Sequence, residues 1–413
     1  MGFFSRLIHR FLYKKRDISL LGEDGDGIFE AIDLSGKPLK EGHRRRTLRD
    51  RRLLPKRINR RRGPRSKKPP PHFSKEEAGR LFSQTMRTRD RNLRDLLTDE
   101  EQLNRYGLPV WKDETDLAAA LDISVGKLRF FSIHREKERA PHYITFAIPK
   151  RCGGERLIMA PKVRLKSIQR QLLHLAIKKL PCSEFAHGFR EGRSVKTGAE
   201  AHVGKEVVIH MDLKNFFPSV HFGRVRGLLI AYGYSFPVAS TLAALMTEAE
   251  RQPVQVEDEV FHVPVSSRYC IQGAPTSPAL CNSILLRLDR RLAGLARSLN
   301  LNYTRYADDL SFSGDDAQVC ARLITRATKI IRDEGFEVNT DKTRVMRRGQ
   351  RQTVTGVTVN ETLGLSRKER RKIRAALHQL ATNPDPLKQA EIEGKLAYLE
   401  MLNPKQAEAL RGR

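Results

Sequence analysis

The chain has 413 residues and sets 77 Lys and Arg against 48 Asp and Glu, a net charge of +29 with a pI near 10.2. A field of that size repels itself unless a polyanion offsets it. This argues against a free-standing enzyme of small neutral molecules and for nucleic acid or an anionic surface as partner. Hydrophobic residues make up 39% of the chain, enough for a globular core spread over two or three domains.

In chain order, residues 3–12 place Phe3, Phe4, Leu7, Ile8, Phe11 and Leu12 at helical spacing opposite a basic face. Arg6, His9 and Arg10 interrupt any signal-peptide core, so the segment reads as a helix docked on protein or RNA, with a membrane-surface helix as the alternative. Between 44 and 68, fourteen Lys and Arg accompany a single acid, Asp50. So few apolar residues cannot repay the entropy of ordering, which predicts a partly disordered basic arm that folds on a polyanion. Helices are predicted at 76–86 and 114–121. Beyond 141, strands are predicted at 143–148, 207–212, 303–312 and 352–359, and helices at 165–179 and 279–299. The chain then turns basic and helical at 368–380 and 391–402, around Asn383-Pro384-Asp385-Pro386. The mixture predicts an α+β core. Composition divides the chain into a basic extension (1–75), a helical region (76–140), the core (141–345) and a C-terminal helical part (346–413). Cys152, Cys182, Cys270, Cys281 and Cys320 lie far apart without ligand spacing, as reduced and mostly buried thiols do. No apolar run approaches the roughly 18–20 residues needed to span a bilayer, so a membrane partner is not expected.

The chemistry concentrates in acidic residues. Asp308 and Asp309 follow Tyr306-Ala307 inside a β-prone stretch, which predicts a hairpin with the pair at its turn. Two carboxylates held at the edge of a core repel each other unless cations neutralise them, and hard divalent ions suit oxygen ligands. Asp212 ends an apolar strand and projects from a sheet edge. Beside Asp308 it would complete a site for two metal ions, about 3.5–4 Å apart in such sites.

These residues, in this order, resemble the reverse transcriptases. Asp212 matches the first palm carboxylate and Tyr306-Ala307-Asp308-Asp309 the YxDD motif. Gln272-Gly273-Ala274-Pro275-Thr276-Ser277-Pro278 matches the QGxxxSP segment beside the template, where glycine permits close backbone approach. The resemblance implies a right-hand polymerase of fingers, palm and small helical thumb. It implies catalysis by Asp212, Asp308 and Asp309 through two Mg²⁺ ions (Mn²⁺ as substitute), with Lys342 protonating the departing pyrophosphate. Lys150 and Arg156, at the fingers hairpin, would grip the triphosphate, with Gln272 beside the nucleotide. Phe217, five residues beyond Asp212, stands at the steric-gate position that excludes a ribose 2′-OH.

Val354-Thr355-Gly356 and the segment from Gly198-Ala199 to His202 resemble elements of bacterial retron enzymes, Gly198 departing from the usual Asn. The basic extension is similar to that of myxobacterial ones. About 65 residues beyond the palm leave room for a small thumb but for no RNase H or maturase domain. A retron enzyme would copy a cognate structured noncoding RNA, primed from a 2′-OH, into short single-stranded DNA, using dNTPs, in the bacterial cytoplasm. Family members commonly serve in anti-phage defence with an effector, here expected on a separate chain or in the N-terminal extension. RNA recognition would fall to Val354, Thr355 and Gly356 and to the basic run Arg367, Lys368, Arg370 and Arg371. Two alternatives stay open at this point: a group II intron-like or unclassified bacterial enzyme working on generic primer-templates, and an inactive palm kept as an RNA-binding scaffold.

Overall fold

The computed structural model describes residues 97–411, apart from 134–137, 139, 150–154, 257–258 and 384. The basic arm, the helices expected at 3–12 and 76–86, Lys150 and Cys152 lie outside the described residues. Three short helices come first: α1 (Glu100–Arg105), α2 (Glu114–Ala120) and α3 (Val125–Ser132). Each starts where a polar side chain, of Asp99, Asp113 or Ser124, accepts a hydrogen bond from a backbone N–H of the first turn. Strands β1 (Tyr143–Pro149) and β2 (Glu155–Pro161) form an antiparallel hairpin in which Ile148 faces Arg156. Helix α4 (Val163–Leu175) stops earlier than the expected 179, and a single 3₁₀ turn, Ile177–Lys179, completes the stretch.

Next come α5 (Val195–Glu200), β3 (Val207–Asp212), α6 (Phe216–Ser219), α7 (Phe222–Ala231) and α8 (Phe236–Met246). Short strands follow: β4 (Thr247–Glu248), β5 (Arg251–Val256), β6 (Glu259–Pro264) and β7 (Tyr269–Cys270). The single helix expected over 279–299 is two, α9 (Ser277–Ile284) and α10 (Leu286–Ser298). Leu285 between them keeps near-helical angles (φ −79°, ψ −2°), so the apolar periodicity runs through the break and hides it from the sequence. Strands β8 (Asn302–Tyr306) and β9 (Asp309–Gly314) precede α11 (Cys320–Asp333) and β10 (Arg344–Arg347). The strand expected over 352–359 is instead a tight hairpin of β11 (Thr353–Val354) and β12 (Val357–Thr358). Thr355 and Gly356 both turn left-handed there, at φ +48° and +81°, which reverses the chain within two residues. The C-terminal helices are α12 (Arg367–Thr382), α13 (Pro386–Leu402) and α14 (Pro404–Arg411).

The chain forms two compact units. The described part of one comprises residues 97–181 and 217–284, with α8 as its most buried helix and the β1–β2 and β5–β6 hairpins. The other comprises 182–216 and 285–411, built on an antiparallel sheet in the order β10-β3-β9-β8. Strand β3 is buried almost throughout, as a central strand should be. Val354, Val357 and Val359 of the small hairpin region pack with Ala199, Val208, Leu363 and Leu402. Ile373, Ile392, Leu396, Leu399, Ala407 and Leu410 join the last three helices. Cys270, Cys281 and Cys320 are buried free thiols and Cys182 is half-buried.

Candidate active site

The two acidic segments meet because β3 and β9 are neighbours. Their register sets Asp212 directly opposite Asp309, so both carboxylates emerge at one end of the sheet. Strands β8 and β9 pair from Tyr306↔Asp309 downward, leaving Ala307 and Asp308 as a two-residue turn. Ala307 turns left-handed there, at φ +57°. The turn is tied down on its neighbouring strand, since the Leu213 N–H donates to the Asp308 carbonyl at 3.0 Å.

Lys342 reaches the same place by a separate route. The Asn339 N–H donates to the Asp212 carbonyl at 2.7 Å, and the 3₁₀ turn Thr340–Lys342 follows before β10 joins β3. The Lys342 ammonium thereby donates to both carboxylate oxygens of the buried Asp212, at 2.9 Å each. Asp308 and Asp309 are less well compensated. Burial, and then the charges of Asp309 and Asp212, push Asp308 up to about 6. Burial and the charge of Asp212 do the same to Asp309. His210 Nε2 lies 3.7 Å from Asp309 Oδ1. Burial lowers the pKa of that imidazole, which makes it a poor source of compensating charge.

Among the described residues no three His, Cys, Asp or Glu side chains already stand together as a metal-binding group, and Lys342 occupies the cation position on Asp212. The donor set nonetheless fits a hard divalent ion: carboxylate oxygens of Asp212, Asp308 and Asp309 at one sheet end, carrying more negative charge than the protein neutralises.

Sequence reasoning missed what holds the turn from behind. Arg305, one residue before Tyr306, has no exposed side-chain surface. Its guanidinium donates to both carboxylate oxygens of the equally buried Asp289 on α10, at 2.8 Å each, and to the Ala307 carbonyl at 3.1 Å. Tyr303 donates its hydroxyl to Asp289 at 2.8 Å. The signal was present, since an arginine inside an apolar strand demands a buried partner. His202 is buried with its ring nitrogens 2.7 Å from the Ser313 and Thr304 hydroxyls, spanning β9 and β8. Burial, with a small contribution from His187, pushes its pKa down to about 3, so it bridges the hairpin as a neutral ring. Gly198 lies where a Cβ would stand 3.3 Å from His187, which leaves little room for a side chain there.

A family model described as reverse transcriptase (RNA-dependent DNA polymerase) matches residues 148–370. The chain belongs to the reverse transcriptase family. It is 61% identical over 393 residues to the retron Mx65 reverse transcriptase of Myxococcus xanthus, covering 95% of this chain and 91% of that one. It is 41% identical over 330 residues to the retron Mx162 enzyme of the same organism (75% and 68% covered), and 31% identical over 304 residues to the retron Ec86 enzyme of Escherichia coli (73% and 87%). This reverse transcriptase is therefore an RNA-directed DNA polymerase of the retron kind, on the myxobacterial side, with the right-hand polymerase fold.

The other predicted site residues of the reverse transcriptase fall in different surroundings. Gln272 is half-buried, and Gly273 beside it packs against β2: a Cβ there would stand 2.4 Å from the Met159 carbonyl oxygen. Arg156 lies on β2. Phe217 is half-buried in α6, while its neighbour Phe216 is core, 6.4 Å from the Phe336 ring. Val354 is buried in the apolar cluster, so the triplet's solvent-facing part is the Thr355–Gly356 turn. Arg367, Lys368 and Arg371 are exposed on α12 and Arg370 half-exposed, around the buried Ile373. No helix among the described residues is long and apolar enough to cross a membrane.

Proposed function

We propose that this retron reverse transcriptase copies part of a cognate structured noncoding RNA into a short single-stranded DNA, starting from a ribose 2′-OH of that RNA. The observation that carries the reading is the convergence of Asp212, Asp308 and Asp309 at one end of a sheet, with Lys342 bonded to Asp212. Two Mg²⁺ ions, or Mn²⁺ in their place, would supply Lewis acidity to the attacking hydroxyl and the departing phosphate. Asp212, Asp308 and Asp309 would hold them. Lys342, whose Nζ is held on Asp212, would carry the proton that the pyrophosphate accepts. Lys150 and Arg156 would grip the triphosphate, with Gln272 against the nucleotide. The Phe217 ring would close the space that a 2′-OH needs.

The exposed cations of α12 and the Thr355–Gly356 turn would read the RNA, the helix through phosphates and the turn through shape. We assign the activity to the bacterial cytoplasm and to anti-phage defence with a separate effector protein. Expressing the gene with its native flanking DNA tests the reading. A discrete short DNA should appear on a denaturing gel, shift after RNase and debranching treatment, and vanish in the Asp308→Asn/Asp309→Asn double variant. Extension of a generic primer-template without such a DNA would leave the polymerase and remove the cognate RNA from the reading.

A further inference from the structure

Beside the acidic turn the chain contains an exposed aromatic residue in a conformation that aromatic residues avoid. Phe189 has φ +58° and is 43% exposed. Among the described residues it is the large exposed hydrophobic with a left-handed backbone. Such a conformation is costly for a bulky side chain, and this one leaves 43% of the residue exposed.

The placement has a local cause. Residues 185–187 run alongside β8, with the Arg305 N–H donating to the Phe185 carbonyl and the His187 N–H to the Arg305 carbonyl, both at 2.8 Å. The chain then crosses the acidic turn at Gly188, where a Cβ would stand 2.9 Å from the Ala307 nitrogen and 3.2 Å from the Tyr306 ring. Only a glycine passes that closely. Phe189 emerges at once on the other side, its ring 6.1 Å from that of Tyr306 and tilted 43° to it. Arg190 and Arg193 follow. Arg190 is anchored by a 2.8 Å bond to the Ser183 carbonyl, and Arg193 is exposed. The positive field here is visible at His187, whose pKa is lowered to about 4 by burial and then by Arg193, Arg190 and Arg305.

We propose that the Phe189 ring, set beside Tyr306 by the Gly188 crossing, is a stacking platform for a nucleobase of the primer-template at its growing end, with Arg190 and Arg193 against the adjoining phosphates. An aromatic face takes any base, which suits an enzyme that must advance along changing sequence, and the arginines supply charge without sequence preference. The inference rests on the copying function proposed above and adds a substrate-contacting residue to it.

The strain makes the test decisive. F189G removes the ring and relieves the backbone, so a Phe189 kept for packing predicts a lowered urea midpoint, and one without a role predicts parental stability with unchanged binding. A platform predicts the same stability with weaker binding. F189G and F189W are compared with the parent in fluorescence anisotropy on a labelled DNA primer annealed to an RNA template, single-nucleotide incorporation kinetics and urea unfolding. Loss of one base–aromatic stack should weaken binding by about 10-fold or more. It should raise KM for primer-template more than KM for the dNTP, leave the urea midpoint unchanged or higher, and be restored by F189W. Parental affinity in F189G, a lowered urea midpoint in it, or failure of F189W to restore binding overturns the proposal. A parent chain that neither binds nor extends the duplex removes the copying function and this platform together. A parent that extends it while F189G binds equally well removes the platform alone.

Discussion

Arg305 and Asp289 carry opposite charges into a place with no solvent, where burying either without the other would be costly. The guanidinium is matched by two bonds to Asp289 and a third to the Ala307 carbonyl, so the pair links α10 to the backbone between Tyr306 and Asp308. Removing one partner strands the other. Arg305→Ala or Asp289→Asn should each cost roughly 3–5 kcal/mol, whereas replacing both by apolar residues of similar volume, with Tyr303→Phe, should cost less than either. Urea unfolding of the variants checks this; equal or additive losses would mean that the pair is not acting as a desolvated unit. The restored multiple variant should still extend primers poorly, because an apolar side chain cannot hold the Ala307 carbonyl. An arginine inside an apolar strand signals a buried partner, but only the fold shows that partner to be Asp289, sixteen residues away on α10.

Elements repeat the contrast between local and distant causes. Helix α12 begins where the Ser366 hydroxyl accepts from the Glu369 N–H and donates to the Glu369 carboxylate, an N-cap whose partner lies three residues on. Helix α13 starts at Pro386, capped by the Asp385 side chain, five residues before the 391 expected from periodicity. The β11–β12 hairpin was read as one strand because Thr355 and Val357 favour β structure, and the left-handed Thr355 carries no sequence mark of its own. Two glycines separate local from tertiary requirements. Gly356, at φ +81°, has no atom within 4 Å of a Cβ position, whereas Gly273, at φ +141°, would drive a Cβ to 2.4 Å from the Met159 carbonyl oxygen. Gly356→Ala should therefore cost only the roughly 1–2 kcal/mol of a left-handed backbone. Gly273→Ala should cost clearly more and disturb the packing of the QGxxxSP segment on β2. Comparing the two variants in thermal melts tests the difference, and equal losses would show that the loop moves aside.

At the scale of the whole molecule, the +29 charge implies a polyanion and hence a steep salt dependence. Replacing Arg367, Lys368, Arg371 and Arg374 by Gln should weaken binding of the RNA proposed above and flatten the slope of log affinity against log salt. It should leave extension of a saturating generic primer-template intact, and an unchanged slope would remove α12 from the interface. The sequence by itself determined the family, the net charge, the positions of the acidic segments and most helix positions. Those features depend on residue type, charge and periodicity over a few neighbouring positions. Only the tertiary structure decided that Asp212 faces Asp309, that Lys342 closes on Asp212, that Arg305 is locked to Asp289 and that Gly188 carries Phe189 past the acidic turn. Each is a contact set by strand register or by the approach of one backbone to another, across up to 130 residues. Residue preferences are local, whereas the energies that choose such contacts exist only once the surrounding surface is buried.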